Sequence, residues 1–466
     1  MEMKRTAGKH IAIFGLLFVA LFAAFGHAAT TKRPNIILCM TDDQGWGDVS
    51  YNGLTKIKTP NLDSMAAAGM RFNRFYAQQT CSPARACLMT GRHQNRQGVF
   101  WPGQRLRVQE TNLAQAMKRA GYATSHFGKW HLDGISGPGK VISNDDPLSP
   151  LNVGFDESFS VTNYFETNWT FGRNGVPVKT KGDGSEVIVA EALKYFAKIS
   201  KQDKPFFTLI WFGSPHIPCR PLPKDLEAAG GSGYYGELIA MDRSMGTLRA
   251  GLRKLGIADN TMLWFSSDNG GYIRNKNHSE HGTNGPLRGQ KSEIWEGGIR
   301  VPGIIEWPAV ITKPVITEIP AGVVDIYPTL VDLLDIDVPN QIKPIDGISL
   351  MSLLNGKMTK RPRPMGFLKV QNGPAAWSDN RYKLITPKKG KWELYDLTKD
   401  ISESNDIASQ HPELVNRMKA ELQEWQLSVA NSFKGLDYPE KKVVQPPKPK
   451  QIKKNKKSKK QTRKKS

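Results

Sequence analysis

Cys81 stands two residues before Pro83 and four before Arg85, in the stretch Thr80-Cys81-Ser82-Pro83-Ala84-Arg85. The residues from Ala84 to Thr90 suit roughly two turns of helix, stopped by Gly91. Pro83 fits a first turn, where its missing N–H has no intrahelical partner anyway. Cys81 is thereby expected at a helix N-terminus, where free N–H groups and the dipole favour negative charge and a reactive thiol. A buried thiol beside a helix start is the structural alternative. Asp42, Asp43, Asp268 and the amide oxygen of Asn269 make an all-oxygen donor set, which suits a hard cation, Ca²⁺ or Mg²⁺. Zinc would normally bring histidine or cysteine into the set. Asp-Asp and Asp-Asn-Gly are also common turn sequences. Arg85, Lys129, His131, His216 and Lys291 would surround a negatively charged substrate. A nucleophile, a hard metal and several N–H donors suit cleavage of a sulfate or phosphate ester, with a histidine as acid or base. His126, inside a strand, and His93 read as structural.

The surrounding elements explain how residues so far apart can converge. Asn35 to Met40 is a continuous apolar run ended by Thr41-Asp42-Asp43. A run without alternation indicates a strand buried on both faces, as in a parallel sheet covered by helices. Thr59 to Gly69 carries a cap residue, a first-turn proline, an alanine-rich body and a stop glycine. Thr111 to Ala120 and Ala190 to Ile199 also read as helices. Tyr122 to Phe127, Phe206 to Phe212 and Thr261 to Phe265 read as strands, leading into Gly128-Lys129-Trp130-His131, Gly213-Ser214-Pro215-His216 and Ser266-Ser267-Asp268-Asn269-Gly270. Alternating strands and helices indicate an α/β fold, whose ligand sites lie beyond the carboxyl ends of the strands. After Pro364 the composition changes. Trp377 to Thr386 and Lys391 to Leu397 flank Pro387-Lys388-Lys389-Gly390 as an antiparallel hairpin, and Leu414, Met418, Leu422 and Trp425 mark one helix face.

The chain of 466 residues can hold one large core and a smaller unit. Lys4 and Arg5 precede an apolar run from Ile11 to Phe25, followed by Gly26-His27-Ala28. Residues 1–28 read as an export signal, the minority alternative being an uncleaved anchor. With no second run of membrane length, the mature chain is expected to be soluble and exported, to a periplasm or the exterior. Cys39, Cys81, Cys87 and Cys219 are too few for a disulfide framework. The net charge is +22, of which the thirteen Lys and Arg after Glu440 supply +13, leaving +9 on the rest. The expected organisation is a catalytic domain over 29–365, a small α/β subdomain over 366–440 and a disordered Lys-rich tail over 441–466. That tail either holds an anionic polymer or envelope through counterion release, nucleic acid included, or is merely solvated.

Six ordered motifs carry a family resemblance. Cys81-Ser82-Pro83-Ala84-Arg85 with Leu88-Met89-Thr90-Gly91-Arg92 resembles the signature of the type I, formylglycine-dependent sulfatases. Pro34 to Asp48, Gly128 to Leu132, Ser214 to Pro218, Ser267 to Gly270 and Lys291 to Gly298 resemble the family's other motifs, in its order. The similarity spans about residues 34 to 430 and is nearest in style to arylsulfatases and N-acetylgalactosamine-6-sulfatase-like enzymes. It implies an alkaline-phosphatase-like α/β sandwich with a large mixed, mostly parallel sheet and a smaller C-terminal subdomain. It further implies that a maturation enzyme oxidises Cys81 to formylglycine. One hydroxyl of the hydrated aldehyde attacks sulfur, and the other then loses its proton to expel sulfate. By resemblance Asp42, Asp43, Asp268 and Asn269, completed by modified Cys81, would hold one Ca²⁺, with Mg²⁺ the second choice. Arg85 would orient the diol, and His131 would be its base. Lys129, Lys291 and His216 would hold the sulfate, one of the last two protonating the leaving oxygen. The family often has Gly directly after Lys-Trp-His-Leu, where this chain has Asp133 before Gly134.

Two rivals stand beside this expectation. Phosphomonoesterases and phosphodiesterases of the same superfamily commonly use Thr or Ser with two zinc ions and histidine ligands, which Asn269 argues against. An unmodified homologue that binds polyanions without catalysis is the other. The substrate class implied is a sulfated carbohydrate or aryl sulfate. Trp101, Trp169 and Tyr272 could stack on sugar rings, and Val99 to Arg107 and Asn275 to His278 are candidate specificity segments.

Overall fold

The computed structural model describes residues 32–273, 281–387 and 390–444. The expected export signal, the Asn275–His278 segment, Lys388-Lys389 of the hairpin turn and the tail beyond Val444 lie outside the described residues.

In the described part the chain runs β1 (Asn35–Thr41), α1 (Pro60–Ala68), β2 (Met70–Tyr76), α2 (Cys81–Thr90), α3 (Leu113–Arg119), β3 (Ala123–Lys129), β4 (Glu157–Val161), β5 (Thr170–Arg173) and β6 (Val176–Lys179). It continues through α4 (Gly184–Ile199), β7 (Phe206–Trp211), α5 (Pro223–Ala228), α6 (Gly233–Lys254), β8 (Thr261–Ser267), α7 (Glu296–Ile299), β9 (Arg300–Glu306), β10 (Val315–Thr317), β11 (Ala321–Gly322) and α8 (Ile326–Leu333). The large sheet has the order β10-β2-β9-β8-β1-β7-β3-β4-β5-β6, with β11 also paired to β2. Its centre, β8-β1-β7-β3-β4, is parallel throughout. Antiparallel pairs enter where β9 joins β8 to β2 and where β5 and β6 form the far edge. The fold is α/β with a mixed, mostly parallel sheet, as its alternating pattern implies.

β1 explains the continuous apolar runs. Ile36, Leu38 and Met40 enter one core with α2, α3 and α8, while Ile37 and Cys39 enter the other with α1, α4 and α6. Both faces are covered, so every position from Ile36 to Met40 is apolar. Each such side chain, fully buried, stabilises by about 1.5–3 kcal/mol. Only where the strand leaves the sheet does the sequence turn to Asp42 and Asp43.

Some elements differ from their sequence-based bounds. α3 starts at Leu113 because Asn112 caps it, its side chain accepting from the Gln115 N–H while Gln115 accepts from the Asn112 N–H. α4 starts at Gly184, since Asp183 accepts the Ser185 and Glu186 N–H groups ahead of the apolar stretch. β3 runs on to Lys129, paired with Val161, so that lysine ends the strand rather than following it. Trp377 to Thr386 is not one strand. Asp379 accepts the N–H groups of Arg381 and Tyr382, making a turn between β13 (Ala375–Ser378) and β14 (Tyr382–Thr386). With β12 (Met365–Leu368) and β15 (Glu393–Asp396) these form an antiparallel sheet of four strands, covered by Met418, Leu422 and Val429 of a helix at Pro412–Phe433.

Buried charge ties this small sheet to the large one. Lys383 lies between Glu296 at 2.9 Å and Glu403 at 2.8 Å, and Trp425 donates to Asp346, which also pairs with Arg96 at 2.8 Å. Residues 441–444, assigned to the tail on composition, are held to the body: Val444 N–H donates to Gln109 at 2.7 Å, and Gln109 donates to the Lys442 carbonyl at 3.0 Å. All four cysteines are free thiols. Among the described residues no helix is long and apolar enough to cross a membrane.

Gly128 marks the tightest approach near the site. Its φ is +100°, and a Cβ there would lie 2.0 Å from the Trp211 carbonyl oxygen on β7. Gly128→Ala is expected to lower stability by about 1–3 kcal/mol or more, through overpacking added to backbone strain. Urea denaturation would register this as a lower midpoint; a wild-type midpoint would refute the close packing.

Candidate active site

The parallel strands deliver their polar ends to one edge, and short backbone contacts hold those ends together. The Asp42 N–H donates to the Ser214 carbonyl and the Asp268 N–H to the Thr41 carbonyl, each at 3.1 Å. Asp43 adopts a left-handed φ of +66° and His131 one of +58°, as residues in sharp exits from β1 and β3. Cys81 opens α2 directly below, with Thr80 as a cap that makes no side-chain bond to the helix.

The structure brings the predicted residues into one buried cluster. The Cys81 Sγ is 3.3 Å from Asp42 Oδ1 and 4.0 Å from Asp43 Oδ1. Lys129 Nζ is 2.6 Å from Asp42 Oδ2, Lys291 Nζ is 2.6 Å from Asp43 Oδ1, and Arg85 Nη2 is 2.8 Å from Asp268 Oδ2. The Asn269 amide donates to Asp43 Oδ1 at 2.8 Å, and Asp43 N–H donates to Asp268 Oδ1 at 3.2 Å. Three carboxylates thus face three cations. Arg85 also donates to the Lys129 carbonyl at 3.2 Å and lies 4.8 Å from the Trp211 ring centroid, so its guanidinium braces the strand ends.

Electrostatics separate the roles open to these groups. Burial pushes the Cys81 thiol well up, and Asp268 and Asp42 add to this against Lys129 and Lys291. Burial and two carboxylates thus act on Cys81 against the charge favoured by its position at a helix N-terminus. Burial would also raise Asp43, but Lys291, His216 and the Asn269 amide hold it below the usual carboxylate range. Burial, then Asp42, pushes Asp268 up to about 6 against Arg85 and Lys129. His131 is pushed far down by burial and by Lys129 and Arg85, and His216 is pushed to about 3, burial again being the first cause. Both rings are neutral at pH 7.

Ligand atoms of Asp42, Asp43, Cys81 and His216 lie within 4.8 Å of one another, a grouping able to hold a metal ion. His216 was not among the sequence-based ligands; its Nε2 is 3.8 Å from Asp43 Oδ2. Tyr164, stacked on the His216 ring at 4.9 Å, was missed altogether, because Asn163-Tyr164-Phe165 belongs to no motif and lies in an irregular loop. Ser82, quoted in the signature without a role, donates to the His131 carbonyl at 2.7 Å and fixes that residue's position. Trp169, offered as a sugar platform, packs on the second core and donates to the Gly139 carbonyl at 3.2 Å, whereas Trp101 is exposed. His126 is buried with Nδ1 2.6 Å from Ser160 Oγ, and His93 packs edge-on against Trp425.

Residues 34–336 match the family model described as Sulfatase, and residues 289–428 match that described as N-sulphoglucosamine sulphohydrolase, C-terminal. The chain belongs to the sulfatase family. It is a hydrolase of sulfuric esters. It is 32% identical to the N-acetylgalactosamine-6-sulfatase of Canis lupus familiaris, over 74% of this chain and 71% of that one. Against the N-acetylgalactosamine-6-O-sulfatase of Bacteroides thetaiotaomicron identity is 29%, over 84% and 93%. The crystal structure of Ps i-CgsB in complex with k-i-k-neocarrahexaose superposes with a TM-score of 0.76 at 27% identity, covering 84% of this sulfatase and 93% of that chain. A phosphonate monoester hydrolase of Agrobacterium radiobacter shares the fold, with a TM-score of 0.62 at 22% identity over 90% of this chain and 100% of that one.

The Asp42–Lys129 pair is fully buried on both sides. In the presence of a chelator, Lys129→Met leaves the carboxylate unpaired and should cost about 3–5 kcal/mol, most of it restored in the Asp42→Asn/Lys129→Met double variant. Additive losses in a denaturation cycle would show that the two groups do not depend on each other.

Proposed function

We propose that this sulfatase is exported and removes sulfate from a sulfated glycan, using Cys81 matured to formylglycine and one Ca²⁺, with Mg²⁺ the less suited ion. The observation that carries this reading is the setting of Cys81: a buried side chain among three carboxylates, two lysines and two neutral histidines, where burial and the carboxylates push a thiol well above its usual range. A hydrated aldehyde at that position supplies a hydroxyl nucleophile and a second hydroxyl for release of sulfate, and a maturation enzyme is the required partner. The glycan class follows the printed names of the relatives, and the positive charge of the body suits such a polymer.

The donor set fits a hard cation. Asp42, Asp43 and Asp268 are buried oxygen donors, and Asn269 Oδ1 is buried with no hydrogen-bond partner. These four residues, with residue 81, would hold the ion. Since the three carboxylates are already balanced by three cations, a divalent ion would leave the centre positive, complementary to a sulfate group.

The chain's own residues then divide the work. Lys129 and Lys291 hold sulfate oxygens by charge-assisted hydrogen bonds. His216 lies beside them as a neutral ring, so Lys291, kept protonated because Asp43 and Asp42 outweigh its burial, is the favoured proton donor to the leaving oxygen. His131, neutral and with Nδ1 unpartnered, accepts a proton near residue 81. Arg85 positions Asp268 and the end of β3. Residues 366–440 form the smaller subdomain closing one side of the site, and the Lys-rich tail holds an anionic polymer or envelope.

Mass spectrometry of the Cys81 peptide, from a host with the maturation enzyme, should show the aldehyde, and Cys81→Ala should abolish sulfate release while the protein stays folded. Persistent thiol together with no sulfate release from sulfated mono- and polysaccharides would sink the enzyme reading. Nitrophenyl sulfate should be preferred to nitrophenyl phosphate, and a phosphate preference would reverse the assignment. Removing the metal with a chelator should lower activity at least about tenfold, with Ca²⁺ restoring it; full activity of the metal-depleted enzyme would exclude the ion.

A further inference from the structure

Two residues that flank Cys81 tie down the rim above it. The Ser82 hydroxyl accepts the Gly103 N–H at 2.8 Å and so fixes the loop that carries Trp101. Gln79 donates its amide to the Lys369 carbonyl at 3.3 Å, and its own carbonyl accepts the Ser292 N–H at 2.7 Å, next to Lys291. Trp101 and Lys369, far apart in sequence, therefore meet close to the segments that carry Cys81 and Lys291, the ammonium lying 5.7 Å from the indole centroid.

This pair differs from the charges around it. Trp101 is 44% exposed, while most large aromatic side chains among the described residues are buried. Lys391 is paired with Glu393, and Arg288 is bonded to the Tyr395 hydroxyl and the Glu403 carbonyl while lying flat on Trp295. Among the described residues Lys369 has no carboxylate within ion-pair distance. It lines a cavity of about 450 Å³ together with Ser292, Trp295 and Arg288, a size in the range of small-ligand sites.

An ammonium with no carboxylate partner, set over a half-exposed indole, matches one ligand chemistry. The apolar face of a pyranose stacks on the indole while an anionic substituent of the same ring pairs with the lysine. Lys369 makes no contact with Asp42, Asp43 or Asp268, so this charge is a second one, separate from the sulfate being cleaved. We propose that Trp101 and Lys369 form a subsite for a sugar carrying its own sulfate or carboxylate, adjoining the sugar that is desulfated. This rests on the sulfated-glycan reading above, and makes this sulfatase selective for an oligomer with anionic groups on neighbouring rings.

Calorimetric titration of the Cys81→Ala protein, which cannot turn substrate over, separates this from the catalytic reading. The probes are k-i-k-neocarrahexaose for a neighbouring sulfate, a chondroitin 6-sulfate tetrasaccharide for a neighbouring carboxylate, and N-acetylgalactosamine 6-sulfate alone. At least one oligosaccharide should bind more tightly than the monosaccharide, and Lys369→Ala should remove that advantage by about tenfold or more, the scale of one charge-assisted contact. Lys369→Arg should keep most of it, and Trp101→Ala should lose it. Because the readout is the ratio of two affinities for one preparation, a partly unfolded variant does not alter it. An unchanged ratio in Lys369→Ala, or no oligosaccharide bound more tightly than the monosaccharide, overturns the subsite. Sulfate release by the matured wild-type enzyme is scored independently, so lysine-dependent binding without sulfate release would retain the subsite and reject the catalytic reading.

Discussion

The ion pair between Asp42 and Lys129 is the constraint on which the rest of this structure depends. Neither side chain touches solvent, and an unpaired charge at that depth would cost several kcal/mol. Asp42 leaves the end of β1 and Lys129 ends β3, with β7 between them in the sheet. Their meeting therefore requires three strands to stop level with one another. A slip of one residue in any of them would turn the polar ends into the cores and leave the charges without partners.

The same requirement explains how the site is braced from outside it. The Arg85 guanidinium reaches from α2 to Asp268 at the end of β8 and to the Lys129 carbonyl, with Trp211 of β7 beneath it. One side chain thus links three strands and the helix that begins at Cys81. The glycine before Lys129 lets β3 approach the β7 backbone closely at the same level. Preorganised charge of this kind needs no rearrangement when a negatively charged group arrives, which is where an electrostatic centre gains its advantage over water.

Much of this was readable in the residues because most of the candidates sit at a strand end, where an apolar run breaks into a polar cluster. Asp42, Asp43, Lys129, His131, His216, Asp268 and Asn269 all follow that rule, and the cluster contains each of them. Helix starts were less legible: Asn112 and Asp183 cap their helices ahead of the apolar pattern, and a cap is a short-range hydrogen bond with little periodic signal. Tyr164 and Lys369 were not legible at all, since a stacking partner on an irregular loop and a lysine after a short strand have no local pattern. Trp101 was named among three aromatic candidates, and only the structure separates it from the packed Trp169. The elevated Cys81 thiol pKa was hidden for a related reason: position at a helix start is a one-dimensional property, but the carboxylates that oppose it come from other strands.

Every residue of α2 is buried, from Cys81 to Thr90, and the helix packs against the α8 region beneath the large sheet. The segment from Cys81 to Arg85 is therefore covered on all sides in the folded molecule, out of reach of a second protein that must bind it as an extended stretch. On the maturation of Cys81 proposed above, the burial of this helix requires chemistry on residue 81 to precede its packing. Under that proposal, a chain that folds first would keep its thiol sealed inside, and the matured fraction would record how often the modification came before closure of the helix.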